Sequence, residues 1–203
     1  MKEYGPYLEE LEDKDLVTLS KINSQHFSII YQRYLPRIYS YHFYRSGNQQ
    51  DAEDGTQNTF LKALINIHTF TYRGDHSFSG WLFRIAHNDY LNVKRYQAVH
   101  PAILASTMEE ELENMVLSPF GNPEQDAITE ETKRKVRAAI VSLPKEHKEI
   151  IVLRFVADLP NKQIAGITGK TVGAIKAQTI RTLRNLKKEL GDKVYVPNDK
   201  DII

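Results

Sequence analysis

Apolar side chains recur at intervals of three and four residues through both ends of the chain, while strand-like alternation is sparse. This periodicity is typical of amphipathic helices. The predicted helices span residues 26–44, 51–68, 78–97, 123–143, 145–157, 161–168 and 171–190. Between residues 98 and 129 the pattern breaks at three prolines and a glycine, which indicates a linker. The sequence therefore predicts an all-α protein, with a three- or four-helix N-terminal module and a C-terminal helical module joined by a flexible tether.

The helix predicted over 51–68 divides into two faces when its residues are placed 100° apart. The stripe expected to face the core consists of Ala52, Thr56, Phe60, Ala63 and Ile67. The opposite face consists of Asp54, Gln57, Asn58, Leu61 and Ile65. An acid, two amides and two aliphatic side chains on an outward face indicate a protein-contact surface. A solvated face with two scattered aliphatic side chains is the alternative interpretation.

The helix predicted over 78–97 follows a loop that mixes aromatic and charged side chains. Its expected inner stripe consists of Phe78, Trp81, Leu82 and Ile85. The outer face and its flank consist of Arg84, His87, Asn88, Leu91, Lys94 and Arg95. Aromatic rings beside a cationic helix face suit single-stranded nucleic acid, because bases stack on the rings while cations hold the phosphates. The alternative is that Phe70, Tyr72 and Phe78 belong simply to the core.

The last two predicted helices are arranged as a helix-turn-helix. The shorter one, over 161–168, ends at Gly169, and Thr171 is expected to cap the longer one. The inner stripe of the longer helix consists of Val172, Ile175, Thr179, Leu183, Leu186 and Leu190. Arg181 lies nearly opposite this stripe, and the residues around it are Ala174, Ala177, Arg184, Asn185 and Lys188. Small residues followed by cations are typical of a recognition helix on DNA, although an ordinary basic surface helix is the alternative.

The charges of the chain are segregated along its length. The 203 residues include 27 basic and 26 acidic side chains, for a net charge of +1. Residues 100–129 nevertheless carry six acids and no Lys or Arg, whereas residues 130–191 carry 14 basic and six acidic side chains. A basic C-terminal block in a nearly neutral protein indicates a polyanion-binding module.

Several classes of protein and site are not supported by the sequence. The chain has no cysteine, which excludes disulfide scaffolds, thiol nucleophiles and thiolate metal sites and fits a cytoplasmic location. Its seven histidines show neither HxxxH nor HExxH spacing, and there is no glycine-rich phosphate loop, so no metal, cofactor or enzymatic activity is expected. Since there is no run of 18 apolar residues and the acidic N-terminus lacks a signal sequence, neither membrane insertion nor secretion is expected.

Taken in order, three parts of the chain resemble the sigma-70 family of bacterial RNA polymerase initiation factors, and most closely its small extracytoplasmic-function (ECF) group. Residues 51–60, DAEDGTQNTF, look like the DAED-x-x-Q-x-x-F core-binding helix of region 2.2. Residues 78–88, FSGWLFRIAHN, with the run that ends at Arg95, look like regions 2.3 and 2.4. The stretches similar to region 4 are residues 143–155, QIA at 163–165 and TVGAIK at 171–176.

The resemblance covers roughly residues 26–97 and 130–190 and implies two small helical domains joined by a flexible acidic linker. The implied division is an N-terminal extension over 1–25, a region 2 helical bundle over 26–97, the linker over 98–129, a region 4 helix-turn-helix over 130–191, and a tail over 192–203. The linker is too short for the extra domain that housekeeping members place between regions 2 and 4. Its acids are expected either to enter a basic channel of the polymerase or to remain solvated.

The resemblance implies a non-enzymatic protein that binds core RNA polymerase, recognises the −10 and −35 promoter elements and assists strand opening. The implied polymerase contacts are Asp51, Glu53, Asp54, Gln57, Asn58 and Leu61. The implied −10 contacts are Tyr72, Arg73, Asp75, His76, Arg84, His87, Asn88, Lys94 and Arg95. The implied −35 contacts are Thr171, Lys176, Ala177, Gln178, Arg181 and Arg184. An anti-sigma factor is a further expected partner, because the family commonly has one.

The chain departs from the family pattern at several positions. Gln178, Ala177 and Ala174 stand where Arg, Ser and Thr are frequent, so promoter readout is expected to differ from the common pattern. Gly55 and Gly166 lie inside predicted helices, where each costs about 1 kcal/mol relative to Ala.

Other functions and the two chain ends complete the expectations. A free-standing helix-turn-helix regulator, whose N-terminal module senses a ligand or dimerises, is the alternative function. A nuclease is disfavoured because the sequence lacks the spacing of carboxylates that bind a metal. The acidic start over 1–20 and the tail over 192–203 are expected to be frayed ends, with regulatory additions as the alternative.

Overall fold

The structure is a computed structural model, and it describes residues 10–99 and 130–191. In these residues the secondary structure is entirely helical, as predicted. The α-helices are α1 (Asp13–Ile22), α2 (Phe27–Ser46), α3 (Gln49–Asn66), α4 (Ser77–Val99), α5 (Glu130–Ser142), α6 (Lys145–Ile151), α7 (Asn161–Thr168) and α8 (Val172–Leu190). The acidic linker predicted over 98–129 lies, from residue 100 onward, outside the described residues, and so does the tail over 192–203.

The N-terminal domain is built around aromatic side chains of α2, α3 and α4. Tyr34 and Phe78 make an edge-to-face contact with ring centroids 5.6 Å apart, and Tyr41 and Phe83 make a similar contact at 5.7 Å. All five residues of the predicted inner stripe of α3 are buried, which confirms the orientation of this helix. At its start the Asn48 side chain accepts a hydrogen bond from the backbone N–H of Asp51, so the helix has the N-cap that its sequence favours.

Gly55 allows α3 to approach α2 closely. A Cβ atom at position 55 would lie 2.5 Å from Nδ1 of His42, a separation that packed atoms do not tolerate. The His42 ring is buried, and its Nε2 lies 2.9 Å from the hydroxyl oxygen of Thr59. Burial lowers the pKa of His42 to about 4, so the ring is neutral at neutral pH. The structure therefore explains a helix-interior glycine that the sequence presents only as a cost.

Helix α1 corrects the expectation of a frayed start for the part from Asp13 onward, while residues 1–9 lie outside the described residues. Leu16 and Val17 are buried in the core of the N-terminal domain. Near the beginning of α1, the Asp13 carboxylate pairs with Arg33 at 2.8 Å and accepts a hydrogen bond from the hydroxyl of Tyr34. The stretch is only 10 residues long and strongly polar, which is why its periodicity did not stand out from the acidic N-terminus.

The C-terminal domain contains the predicted helix-turn-helix. Helix α7 has the predicted bounds and ends at Gly169, whose φ of 73° is the left-handed conformation typical of a helix terminus. Thr171 caps α8 as expected, because its hydroxyl accepts a hydrogen bond of 3.2 Å from the N–H of Ala174. The helix predicted over 145–157 is α6 followed by a π-helical turn over Val152–Val156. The part of the predicted helix over 123–143 that precedes residue 130 lies outside the described residues.

The two domains pack against each other in the described structure. The Glu149 carboxylate of α6 pairs with Arg45 of α2 and lies 3.1 Å from Nδ1 of His87 on α4. At the contact of α4 with α7, the Gln163 side chain lies so close to Gly80 that a Cβ at position 80 would overlap it. The sequence predicts two modules and a tether, and the docking of one module on the other is a finding of the structure.

Glu149 is charged although it is largely buried. Burial alone would raise the pKa of this carboxyl, but hydrogen bonds from His87 and Arg45 and the charge of Arg45 lower the pKa to about 2. The side chains of Arg45 and His87 are each 8% exposed, so the Glu149 carboxylate is surrounded by buried protein partners rather than by water. A buried carboxylate that has such partners favours the docked arrangement, whereas loss of one member leaves a buried charge unpaired.

We expect Gly55→Ala to lower the free energy of unfolding by about 1–3 kcal/mol, because the new methyl group collides with the His42 ring. Gly173→Ala is the matched control, since a Cβ at this helical position meets nothing within 4 Å. The control is expected to raise the free energy of unfolding by up to about 1 kcal/mol. Chemical denaturation measures both values, and stabilisation by both substitutions would contradict the packing described here.

We expect Glu149→Ala to lower the free energy of unfolding by about 3 kcal/mol, because it leaves Arg45 without its buried partner. Glu146→Ala is the control on the same helix. Its carboxylate is 75% exposed and pairs with Lys170, so its removal is expected to cost less than about 1 kcal/mol. Equal losses from the two substitutions in chemical denaturation would show that the Glu149 contact does not hold the domains together.

Candidate nucleic-acid and protein interfaces

The outward face of α3 exposes two large aliphatic side chains one turn apart. Leu61 is 56% exposed and Ile65 is 66% exposed. Asp54, Gln57 and Asn58 are exposed on the same face. Because the core stripe lies on the other side of the helix, substitutions on this face leave the core intact. The mixture of apolar and polar groups fits a protein-contact surface, as the sequence indicated.

The first turns of α3 place the remaining predicted polymerase contacts beside this face. Asp51 and Glu53 are half-buried. The Gln49 side chain donates a hydrogen bond of 2.8 Å to the Glu53 carboxylate, and the Gln50 side chain donates one of 3.2 Å to Asp54. These hydrogen bonds orient the Glu53 and Asp54 carboxylates, while Asp51 lies in the first turn of α3, where the helix dipole favours negative charge.

The loop before α4 separates a buried base from an exposed tip. Phe70 and Phe78 are buried, and the Phe70 ring packs against Phe78 and Trp81 with centroids 5.5 and 5.1 Å away. The core interpretation is therefore right for Phe70 and Phe78, while Tyr72 is half-buried. The side chains exposed at the tip are Arg73, Asp75 and His76.

The shape of this tip depends on backbone conformations with positive φ. Gly74 has a φ of 104° and His76 a φ of 57°. Only glycine adopts such values without cost, so the strained His76 backbone must be held by its surroundings. The hydroxyl of Ser77 accepts a hydrogen bond of 3.1 Å from the N–H of Arg73, and the N–H of Ser77 donates one to the carbonyl of Gly74. These bonds close the tip and present its side chains to solvent.

Along α4, the predicted DNA-binding residues fall into two environments. Arg84, Asn88 and Arg95 are exposed, whereas Lys94 is half-buried, with its ammonium 2.8 Å from the side-chain oxygen of Gln97. His87 is buried between the domains, beside Glu149 and with Nδ1 3.4 Å from the Tyr41 hydroxyl. The sequence predicts an outward-facing His87, whereas in the structure its ring lies between the core residue Tyr41 and Glu149 of the C-terminal domain. A role for His87 in DNA binding stays a prediction and requires the two domains to separate.

Helix α8 presents a cationic face opposite its buried stripe. Ala177, Arg181 and Arg184 are exposed, and Lys176 and Gln178 are half-buried. Four of the six predicted inner residues, Ile175, Thr179, Leu183 and Leu186, are buried. Val172 is 39% exposed, contrary to prediction, because it lies in the first turn of the helix, where the domain no longer covers it.

An open, solvent-accessible surface lies along the second half of α8. Its lining residues are Ala177, Ile180, Arg181, Arg184, Asn185, Lys187, Lys188 and Gly191. Lys187 is the lining cation that the sequence argument did not single out, although basic residues in the last turn of a helix are a recognisable signal. A surface with four cations suits a polyanion such as the DNA backbone.

Two kinds of site are not found in the described part of the chain. Residues 10–99 and 130–191 contain no group of three or more His, Asp or Glu side chains placed to hold a metal ion. Among these same residues, every helix is too short or too polar to span a bilayer.

Comparison with known protein families gives two matches in order along the chain. The profile of Sigma-70 region 2 matches residues 30–99, and the profile of Sigma-70 region 4 matches residues 133–186. The first match contains α3, α4 and most of α2. The second contains α6 and α7 and most of α5 and α8.

Individual relatives agree with these matches. The chain is 32% identical over 182 residues to the ECF RNA polymerase sigma-E factor of Salmonella typhimurium strain LT2. The aligned residues cover 85% of this chain and 91% of that protein. It is 28% identical over 188 residues to the ECF RNA polymerase sigma factor SigW of Bacillus subtilis, covering 91% of this chain and 100% of SigW. To BldN, an ECF RNA polymerase sigma factor of Streptomyces coelicolor, it is 33% identical over 172 residues, but these span only 61% of BldN.

Solved structures show a similar fold. The sigma factor RpoE of Bartonella quintana, crystallised with the anti-sigma factor NepR, matches 81% of this chain and 96% of its own, with a TM-score of 0.61 and 21% identity. CnrH, in complex with the cytosolic domain of CnrY, matches 87% of this chain and 95% of its own, with a TM-score of 0.57 and 19% identity.

Proposed function

Because the chain belongs to the ECF group of sigma-70 RNA polymerase sigma factors, we propose that its two domains divide the recognition of polymerase and promoter between them. Region 2 binds core polymerase through the outward face of α3 and captures the −10 element with α4 and the loop before it. Region 4 reads the −35 element with α8. The protein itself is not an enzyme, and the polymerase performs the catalysis. The observation that carries the proposal is that both matched regions fold into helical domains with exposed faces of the required chemistry.

On the −10 side, the loop tip supplies groups for an opened DNA strand. Opening a duplex costs a few kcal/mol for each unstacked base, and a binding site must recover this cost by stacking and by hydrogen bonds to base edges. The half-buried Tyr72 offers a ring, and the exposed Arg73, Asp75 and His76 offer polar groups. Arg84 and Arg95 lie exposed along α4 and are positioned to hold the adjacent phosphates.

On the −35 side, α8 has the features of a helix that enters the major groove. The exposed Ala174 and Ala177 allow the helix to approach the base edges closely. Arg181 and Arg184 lie farther along the same face, where a guanidinium reaches either a guanine edge or a phosphate. Lys187 and Lys188 extend this cationic surface toward the C-terminal end of α8.

The two promoter elements are too far apart to be read by the docked arrangement. Their names place them about 25 base pairs apart, which is about 85 Å along a duplex at 3.4 Å per base pair. Helix α4 contacts α7, and α8, which follows α7 directly, has 19 residues and is therefore only about 29 Å long. We infer that the domains separate when both elements are bound. This separation breaks the contact of Glu149 with Arg45 and His87 and uncovers His87.

A protein inhibitor and a cytoplasmic location follow from the same proposal. RpoE and CnrH were each solved with a protein partner, the anti-sigma factor NepR and the cytosolic domain of CnrY. We propose an anti-sigma factor as a partner of this chain as well, because a factor with exposed polymerase-binding and DNA-binding faces needs a means of being held inactive. Binding to polymerase and promoter places the protein in the cytoplasm.

We expect the double substitution Asp54→Arg with Leu61→Arg to abolish capture of core polymerase. Asp54→Arg reverses a charge on the proposed contact surface, and Leu61→Arg replaces an apolar side chain there with a cation. Both side chains lie outside the core, so the fold is expected to stay intact. The measurement is a pull-down of purified core polymerase.

Asp15→Arg with Ile22→Arg is the matched control, because it makes the same chemical changes at exposed positions of α1. The control is expected to capture polymerase as the unaltered protein does. Wild-type capture by the α3 variant, with helicity unchanged in both proteins, would contradict the assignment of this face.

We expect Arg181→Ala to relax sequence preference at one −35 position by about 1–3 kcal/mol if the guanidinium contacts a base, or to weaken binding to all sequences alike if it contacts a phosphate. Arg134→Ala, at an exposed position of α5, is the control and is expected to have no effect on promoter choice. Transcription by reconstituted holoenzyme from a set of −35 variants distinguishes these outcomes. Unchanged −35-dependent transcription with Arg181→Ala would show that α8 docks on DNA in another way.

A further inference from the structure

Helix α1 contacts the base of the loop before α4. The Lys21 ammonium, near the C-terminal end of α1, donates a hydrogen bond of 2.5 Å to the backbone carbonyl of Phe70. Phe70 is the residue from which the loop departs, since it follows the 3₁₀ turn Ile67–Thr69 and has an extended backbone. The contact joins residues 49 positions apart in the sequence, and it is partly buried.

Helix α1 is itself fixed to the rest of the domain. Leu16 and Val17 are buried, and Asp13 binds both Arg33 and Tyr34 of α2. Arg33 also donates a hydrogen bond of 2.8 Å to the carbonyl of Leu11, just before α1. Lys21 therefore acts from a rigid support rather than from a loose N-terminal arm.

Acids at the beginning of α1 act electrostatically on the loop. The partial burial of Tyr72, together with the carboxylates of Asp75, Asp13 and Glu12, raises the pKa of the Tyr72 hydroxyl. Asp13 is the first residue of α1, and Glu12 directly precedes it. Helix α1 thus contacts the base of the loop through Lys21, and the acids at its beginning act electrostatically on Tyr72.

Lys21 complements the bonds that hold the other end of the loop. The Ser77 hydroxyl and N–H bind Arg73 and Gly74, and the N–H of Gly80 bonds to the carbonyl of His76. With the Phe70 carbonyl held by Lys21, both ends of the loop are fixed before DNA arrives. A loop fixed in its binding conformation loses less entropy when it captures a strand.

We propose that Lys21 is a positioning residue for capture of the −10 strand, which it supports by holding the Phe70 carbonyl at the base of the loop. The proposal rests on the function proposed above for the loop. It assigns a part in promoter opening to α1, which lies outside residues 30–99, the part that the region 2 profile matches.

The test compares three substitutions in reconstituted transcription with core polymerase. Lys21→Met removes the ammonium and keeps an apolar stem, and Lys21→Arg keeps a donor. Lys14→Met is the matched control, because Lys14 is an exposed lysine of the same helix. Each variant is assayed on a closed promoter and on one with a pre-melted −10 bubble. Polymerase binding and the melting temperature of each variant are measured alongside.

We expect Lys21→Met to reduce initiation at least fivefold on the closed template, with a smaller loss on the pre-melted one and weaker discrimination among −10 bases. Polymerase binding is expected to stay within twofold of wild type. Lys21→Arg is expected to restore most of the activity, and Lys14→Met to match the unaltered protein. These results would show that Lys21 positions the loop.

A loop variant, Tyr72→Ala with Arg73→Ala, distinguishes the two ways in which the proposal fails. If this variant loses activity and Lys21→Met does not, Lys21 has no positioning role, while the proposed function of the loop stands. If neither variant has an effect, the loop is not part of the mechanism and both proposals are wrong. The positioning role is overturned if Lys21→Met lowers the melting temperature and polymerase binding but leaves the ratio of initiation on the closed template to initiation on the pre-melted template unchanged. It is also overturned if Lys21→Arg restores none of the lost initiation.

Discussion

A buried carboxylate lies at the contact between the two domains, together with the hydrogen bond from Arg37 to the carbonyl of Ala157 and the packing of Gln163 against Gly80. Glu149 of the C-terminal domain is bound by Arg45 and His87 of the N-terminal domain, and its pKa of about 2 shows that these partners more than offset the cost of burial. This contact determines which surfaces are accessible. It leaves the outward face of α3 and the cations of α8 exposed, and it covers His87. Under the proposed function, the docked protein can meet polymerase, and the domains separate when both promoter elements are read.

Within each domain, the proposed contact faces are the helix faces that the core does not use. The stripe of α3 that contains Phe60 packs against α2, which leaves Leu61 and Ile65 facing solvent. In α8, burial of Ile175 and Leu183 fixes the direction in which Arg181 points. Core packing thus positions the binding groups without contacting a ligand, so the stability of the fold and the placement of the interfaces have the same physical cause.

The sequence predicts these faces well because they repeat every three or four residues. The inner stripe of α3, the bounds of α7 and the Thr171 cap of α8 all agree with the structure. What the sequence missed depends on contacts between residues far apart in the chain. The reason for Gly55 is His42 of another helix, and the burial of His87 depends on the other domain. Periodicity within one segment cannot reveal such contacts.

The central claim is that one chain carries two DNA-binding domains that are docked when free and separate on a promoter. The chain has no cysteine, so Gln32→Cys and Lys145→Cys place one label at an exposed position of each domain. The distance between the labels is measured in the free protein and in the open complex with core polymerase and promoter DNA. The account predicts a short, well-defined distance in the free protein and an increase of tens of ångströms in the complex. An unchanged distance in an active complex would contradict it.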